Sequence, residues 1–512
     1  MRFFSAAIAA CTLYTTASPG MAQQSPRLGT LDFPTSGSGR AQREFVTGVL
    51  YLHSFEYESA AAAFRRAQAI DPAFAMAYWG EAMTDTHPVW NQQDTAAGRA
   101  ALRRLGATPA DRAARAGSAR ERQYLAAVEA LYGNGTKPAR DTAYALAMAR
   151  LATANPHDAE AQAFYALALL GLSQGARDIP TYMRAGAIAE SLFAALPNHP
   201  GAAHYVIHAF DDPTHAPLGL RAARAYSVIA PDAAHAQHMT SHIFLALGMW
   251  DETAHANEIA TVATRDSLGP WPRWSCGHYG EWLQYAYPQQ GRPAAAQQLL
   301  DECRQQAAAA ANGRRRTSLA VMRAAQIVDG GDGAGATVHA SDAVPGDSPT
   351  ARAYFAFGTG YAAARCGDTT AARTALRAMS TRTRIGSADA DAYADICALE
   401  LEALLRLQSP MPEESVMVLR RAVAIEDSLP VDFGPPIDIK PPRELLGEAL
   451  VRLGQPGEAQ AELQRQLART PRRAATLAAL ASAARAAGNA ALASATTADL
   501  ANVRHAAEQR RR

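Results

Sequence analysis

Residues 48–72 read GVLYLHSFEYESAAAAFRRAQAIDP, and this stretch decides the fold. Small and large side chains recur in it at helical spacing and end in a proline: Gly48, Tyr51, Tyr57, Ala60, Phe64, Ala67 and Pro72. Small residues let two helices approach closely, and proline cannot continue a helix interior. The stretch therefore predicts two packed helices that form a hairpin.

The same pattern returns at the period of a tetratricopeptide repeat, a helical hairpin of 34 residues. Gly454 and Gly488 lie 34 residues apart, each is followed five residues later by alanine, and the offset recurs after Gly291 and Gly367. Abundant alanine and scarce β-branched residues also favour helices. We predict an all-α fold, an α-solenoid of tetratricopeptide-like hairpins that form a right-handed superhelix. The first helix of each hairpin should line its concave side.

The pattern has interruptions that divide the chain. Proline-rich residues 429–442 cannot be helical, and residues 328–349 are rich in Gly and Asp. The predicted segments are a signal peptide (1–22), a flexible lead-in (23–39), a solenoid with a histidine-rich concave site (40–327), a Gly/Asp-rich loop (328–349), helical hairpins (350–428), a Pro-rich strap (429–442) and C-terminal repeats (443–505).

The N-terminus resembles a secretory signal. Arg2 precedes an apolar run, and small residues precede Gln23, which predicts cleavage after Ala22 and a periplasmic or secreted protein. The alternative, lipoprotein processing at Cys11, leaves an apolar run of only about eight residues, at the short end of what such signals need. No later apolar run is long enough to predict a membrane span, and the net charge of +1 predicts no nucleic-acid partner.

Four cysteines follow the predicted signal: Cys276, Cys303, Cys366 and Cys397. An oxidising compartment permits two disulfides, and buried thiols on helices are the alternative. The spacing leaves the pairing open, and the absence of a CxxC motif argues against a thiolate zinc site.

Nine of the fourteen histidines lie between residues 199 and 278. Six take repeat positions that face the concave groove: His204 and His208 (positions 5 and 9) in one unit, His235, His238 and His242 (positions 2, 5 and 9) in the next, and His278 (position 2) in a third. Carboxylates share these stripes at Asp211, Asp212 and Glu281. Consecutive first helices are therefore predicted to present imidazoles and carboxylates to one hollow.

Helix geometry makes this a predicted metal site. Residues four apart are separated by about 6 Å along a helix, and neighbouring helices lie about 8–10 Å apart. We predict that four imidazoles converge on one transition-metal ion: His204, His208, His238 and His242. His235 and His278 are further candidate ligands. Imidazole and carboxylate without thiolate suit Zn, Cu, Fe, Ni or Mn, and the sequence leaves the metal open.

Such a site predicts a metal-dependent enzyme in which the ion activates water or dioxygen, with Asp211, Asp212 or Glu281 as base or orienting residue. The alternative is a non-catalytic scaffold that binds a peptide, a partner protein or a small molecule in the groove. A metal carrier or sensor is a third reading. The sequence has no HExxH, GxSxG, P-loop or dinucleotide motif.

Four stretches together resemble a group of exported bacterial tetratricopeptide-repeat proteins: FAMAYWGEAM (74–83), HPGAAHYVIHAFDDPTHAPLGL (199–220), IAPDAAHAQHMTSHIF (229–244) and PPRELLGEAL (441–450). The resemblance runs from about residue 42 to about residue 505. It implies a helical-repeat fold and a shared block of His204, His208, Asp211, Asp212, His235, His238 and His242. It implies no particular reaction.

Overall fold

The computed structural model describes residues 26–509 except 174–176, 264–270, 310–312, 331–341, 382–383, 386 and 432. In this part of the chain, 24 α-helices account for almost all regular structure. In chain order they are α1 Gly39–His53, α2 Tyr57–Ile70, α3 Ala75–Thr84, α4 Thr95–Leu105, α5 Pro109–Ala114, α6 Ala119–Leu131, α7 Lys137–Ala154, α8 Ala159–Leu170, α9 Ile179–Ala195, α10 Pro200–Phe210, α11 Ala216–Ile229, α12 Ala234–Ala246, α13 Trp250–Ala263, α14 His278–Gln289, α15 Pro293–Ala309, α16 Gly313–Asp329, α17 Pro349–Arg365, α18 Thr369–Ser380, α19 Ala388–Arg406, α20 Glu414–Ser428, α21 Pro442–Arg452, α22 Pro456–Arg469, α23 Ala474–Ala486 and α24 Ala490–Gln509.

Two short strands and two 3₁₀ turns lie between the described helices. Strands β1 (Thr86–His87) and β2 (Gln92–Gln93) pair antiparallel around a 3₁₀ turn, Pro88–Trp90. A second 3₁₀ turn, Gly171–Ser173, follows α8.

Glycine ends the first helix of several hairpins in the left-handed conformation, which costs a side chain with a Cβ more than it costs glycine. The φ angles are positive at Gly248, Gly291, Gly367, Gly454 and Gly488. Consecutive helices pack as antiparallel neighbours around a continuous series of apolar clusters. The predicted all-α solenoid of helical hairpins is confirmed.

The concave side of the solenoid is largely covered by other parts of the chain. Helix α1 packs against α10. The indole Nε1 of Trp250, in the middle of the chain, donates to the carbonyl of Arg472 at 2.9 Å. Arg472 precedes α23, so the C-terminal hairpin lies against the middle of the chain. As a result, the concave sides of α10 and α12 are buried rather than open to solvent.

The segments outside the helices also pack. Leu28 and Phe33 in the predicted flexible lead-in are buried, and Arg27 pairs with Asp232 at 2.7 Å, so residues 26–38 are anchored along the solenoid. Residues 429–431 and 433–441 connect α20 to α21 without helix, and Pro442, the last residue of the predicted strap, begins α21. The predicted signal peptide, with Cys11 and Ala22, and residues 331–341 of the Gly/Asp-rich segment lie outside the described residues.

Two of the four cysteines form a disulfide, Cys276–Cys303, which ties the start of α14 to α15. Cys366 is exposed, and the Cys397 Sγ donates to the Asp438 carbonyl at 3.4 Å. None of the described helices combines the length and apolar character needed to cross a membrane.

Candidate metal centre

Six imidazoles from α10, α12 and α14 form two adjacent triads. The first triad is His204, His208 and His235, and the second is His238, His242 and His278. Within each triad, one ligand atom from every ring lies within 4.8 Å of the others. Both follow one construction: an HxxxH pair at repeat positions 5 and 9 of one first helix, completed by the histidine at position 2 of the next.

The first triad has three ring nitrogens without a partner. The Nε2 atoms of His204, His208 and His235 are buried, and no described residue forms a hydrogen bond with any of them. The His204 Nδ1–H donates to the His53 carbonyl at 2.6 Å, and this fixes a lone pair on its Nε2. A buried acceptor without a hydrogen bond is costly, so these three nitrogens are available to bind a metal ion.

In the second triad, a hydrogen bond to Asn257 determines the tautomer of His238. Asn257 Nδ2 donates to the Thr253 carbonyl at 2.8 Å, so Asn257 Oδ1 must be the atom that accepts from His238 Nδ1, at 2.6 Å. His238 Nε2 therefore carries a lone pair. It lies 3.2 Å from His242 Nε2, close to the separation of about 3.3 Å that two nitrogens take on one tetrahedral zinc-sized ion.

Asp211 connects the two triads. Its Oδ2 lies 3.0 Å from His242 Nδ1 and 3.5 Å from His208 Nδ1, and its Oδ1 pairs with the Arg177 guanidinium. Burial opposes the charge of this carboxylate, but Arg177 and the two imidazoles outweigh it and hold the pKa of Asp211 well below its usual range. An ionised Asp211 fixes both rings with Nδ1–H toward it and Nε2 free to bind.

Burial favours the neutral form of four of the rings. It lowers the pKa of His204, His235 and His238 well below that of an exposed histidine, and their mutual proximity lowers it further. The same burial lowers the pKa of His242, which Asp211 partly offsets. Neutral imidazole is the form that binds a metal ion.

Aromatic rings enclose the triads. Phe55 lies over the first triad, 4.3 Å from the His204 ring and 5.5 Å from the His235 ring between centroids. The His242 ring stacks between Trp282 and Phe433, at 4.5 and 5.1 Å. These rings exclude water from most of the centre, whereas His278 keeps an exposed face.

Phe433 comes from the Pro-rich strap. Gly434 beside it has φ +114°, and a Cβ there would lie 2.6 Å from the Trp282 ring, so glycine is required at this position. On its other side Phe433 lines a cavity of about 290 Å³ together with Arg177, Tyr393 and Val431. Through Phe433 this cavity adjoins the His242 ring.

A third cluster, His53, Glu160 and His199, has a different chemistry. His199 Nδ1 accepts from the Ala202 backbone N–H, so its Nε2–H donates to Glu160 at 2.9 Å. His53 Nε2 lies 2.7 Å from the other Glu160 oxygen. Every ring nitrogen here is used, which indicates a hydrogen-bonded network rather than a metal site. Its effect is to hold His53, whose carbonyl orients His204.

The predicted ligands are all at the centre, but in a different grouping. The expected set of four is divided between the triads, and His235 and His278 complete them. The reason is that α12 lies between α10 and α14, so its stripe of histidines reaches both neighbours.

Among the predicted carboxylates, Asp211 orients two rings. Asp212 pairs with Arg177 at 3.0 Å and accepts from the Thr214 and His215 backbone N–H groups in the turn before α11. Glu281 is directed to Ser318 on α16. No sequence signal marked Asn257, the His53 carbonyl or Phe433, because each acts through a tertiary contact.

Comparison with known proteins finds distant structural similarity. No family model matches the chain, and no curated protein matches its sequence. The chain is similar to human IFIT1, solved as a dimer with PPP-AAAA, at 12% identity over 91% of this chain and 92% of that one, with a TM-score of 0.33. It is similar to yeast Tom70 at 12% identity over 88% and 89%, with a TM-score of 0.31. Because these TM-scores are low, the fold assignment rests on the helical hairpins themselves.

Proposed function

We propose that this chain is an exported metalloprotein whose helical repeats hold two transition-metal ions, one in each imidazole triad, for chemistry on a small molecule. The first triad would use the Nε2 atoms of His204, His208 and His235. The second would use those of His238 and His242 with a nitrogen of His278.

One observation carries the proposal: the three rings of the first triad lie within ligand distance of one another, and the buried Nε2 of each has no hydrogen-bond partner among the described residues. Isolated neutral histidines in a protein core normally use both ring nitrogens. The tautomers support the proposal, because Asp211, Asn257 and the His53 carbonyl occupy Nδ1 of His242, His238 and His204. This is the usual arrangement behind metal-binding imidazoles.

The burial of the centre favours this function over the peptide-binding alternative. A peptide groove needs an open concavity with dispersed polar groups. Here the polar groups converge, and five of the six rings are buried. Export is supported by the signal-like N-terminus and by the Cys276–Cys303 disulfide, which is typical of oxidising compartments.

The test is elemental analysis of the full chain purified without a histidine tag. We expect two equivalents of transition metal per chain, one equivalent in His235→Ala and one in His278→Ala, and less than half an equivalent in the double variant. The matched control is His255→Ala, since His255 is exposed on α13. The proposal fails if the double variant retains the metal content of the parent protein at equal folding by circular dichroism.

A further inference from the structure

Resting on the proposed function, we infer that the two ions are copper and that they bind one dioxygen molecule between them as peroxide. Four features support this assignment: the donor atoms, the charge around them, the proximity of the triads and the lining of the site.

The donor set selects a metal that accepts neutral nitrogen ligands alone. Each triad offers three imidazoles, and neither contains a thiolate or carboxylate. Zinc and iron sites built on histidine commonly add a carboxylate or thiolate. Among divalent first-row metal ions copper stands highest in the affinity order, and imidazole is a ligand type that suits copper.

The charge around the triads also favours cuprous ions. In the described part of the chain, the carboxylate in contact with these rings is Asp211, and Arg177 neutralises it. Two divalent ions would bring four positive charges into a buried site without compensating anions, which is unfavourable. Two cuprous ions bring two. When both are oxidised, a bridging peroxide supplies two negative charges.

The triads are near enough to share a ligand. The His208 and His242 rings, one from each triad, have centroids 5.7 Å apart, and those of His235 and His238 are 6.0 Å apart. Asp211 lies behind the first two rings at their Nδ1 atoms, so both Nε2 atoms are directed to the far side. Two ions held there lie side by side in one hollow.

The lining suits a small apolar ligand. Phe55, Trp282 and Phe433 cover the rings. An aromatic site from which most water is excluded admits dioxygen and limits the access of water to bound peroxide. A cavity of about 290 Å³ lies beside Phe433, which separates it from the His242 ring.

The electron count closes without a further reagent. Each cuprous ion gives one electron and becomes cupric, dioxygen takes both and becomes peroxide, and two copper–oxygen bonds form. No proton moves, and release of dioxygen returns both electrons to copper.

The experiment loads metal-free full-length protein with two equivalents of cuprous ion under anaerobic conditions and then admits dioxygen. We expect uptake of one dioxygen per two coppers and a near-ultraviolet peroxide-to-copper absorption band. The electron paramagnetic resonance signal should be far weaker than the copper content, because two bridged cupric ions couple. His278→Ala should hold one copper, show no band and give a full cupric signal after oxidation. His255→Ala should behave as the parent protein.

Two results overturn the inference and leave the proposed function standing. One is two bound coppers without dioxygen uptake, whose paramagnetic signal accounts for all the copper. The other is displacement of copper by zinc when both ions are offered in equal amounts. Failure to retain either ion overturns the proposed function itself.

Discussion

His208 and His242 both present Nδ1 to the same oxygen, Asp211 Oδ2, at 3.5 and 3.0 Å. The two histidines lie 34 residues apart, at the same position of successive repeats. A single carboxylate therefore orients one ring in each triad. The two sites are mechanically and electrostatically connected, and a change at either is expected to affect the other through Asp211.

The tautomer of His238 can be tested at Asn257. Asn257→Leu removes the acceptor of His238 Nδ1–H, so the ring loses its orientation and Nε2 is no longer fixed as the ligand atom. We expect affinity at the second triad to fall about 10- to 100-fold, as for other partners of metal-bound imidazoles. Asn257→Asp keeps an acceptor and should retain most of the affinity. Chelator competition measures both, and equal loss in the two variants would show that an acceptor at residue 257 does not maintain the affinity.

Phe433 separates the cavity from the His242 ring. Phe433→Ala should open a path between them and speed removal of bound metal by a chelator several-fold, with little change in metal content at equilibrium. Val431→Ala is the control, because Val431 lines the same cavity but is 47% exposed. Stopped-flow chelation gives the rates. An unchanged rate in Phe433→Ala would place the route of exchange elsewhere.

The disulfide holds the segment that carries His278. Cys276 lies two residues before His278, and its bond to Cys303 fixes this segment against α15. The Cys276→Ser, Cys303→Ser variant should bind metal more weakly at the second triad and normally at the first. A two-site titration separates them, with the exposed Cys366→Ser as control. Equal weakening at both triads would instead indicate general destabilisation.

Glu400 is a buried carboxyl with no hydrogen-bond partner among the described residues. Burial, and then Asp438, raise the pKa of Glu400 well above its ordinary value. The folded state therefore holds the proton more tightly than the unfolded state, and its stability falls as pH rises above about 4.5. Glu400→Gln removes this cost.

We expect Glu400→Gln to raise the melting temperature by a few degrees at pH 8 and to give no gain at pH 4. Glu402→Gln on the same helix is the control, since Glu402 is partly exposed and pairs with Arg406 at 3.4 Å. Calorimetry at both pH values decides, and a gain of equal size at pH 4 would contradict the account.

Glu444 shows the opposite behaviour. Burial opposes its charge, but Arg473 and Lys440 outweigh this and lower the pKa of Glu444 to about 2. A lowered pKa stabilises the fold above the unfolded value of about 4.5, and this stability is lost as pH falls toward about 2. The contribution is on the order of 3 kcal/mol.

Glu444→Gln should therefore lower the unfolding free energy at pH 7, and the loss should shrink as the solution is acidified below about pH 4.5. Urea titrations across this range measure it. The exposed Glu413→Gln should match the parent protein. A loss that is independent of pH would show that Glu444 contributes by shape alone.

The helical repeat was predictable because its signals are local: glycine after the first helix, small residues at the hairpin contact and proline at the end. The same periodicity placed His204 and His208 in register with His238 and His242. The periodicity did not predict that His235 joins the first pair and His278 the second. The position in the repeat determines on which face of its helix a histidine lies, but not which neighbouring helix its ring reaches. Asn257 and Phe433 act through contacts between distant segments, so no spacing marks them.

The repeat positions that form both triads also explain why the neighbouring helices form no further triad. Position 2 of α10 is Gly201, where a Cβ would lie 2.3 Å from His53 Nδ1, so no triad forms with α8. Positions 5 and 9 of α14 are Glu281 and Tyr285, so none forms with the helix beyond. If one hairpin were duplicated with its three histidines, each added copy would supply another candidate metal-binding triad. In the described part of this chain the arrangement occurs twice.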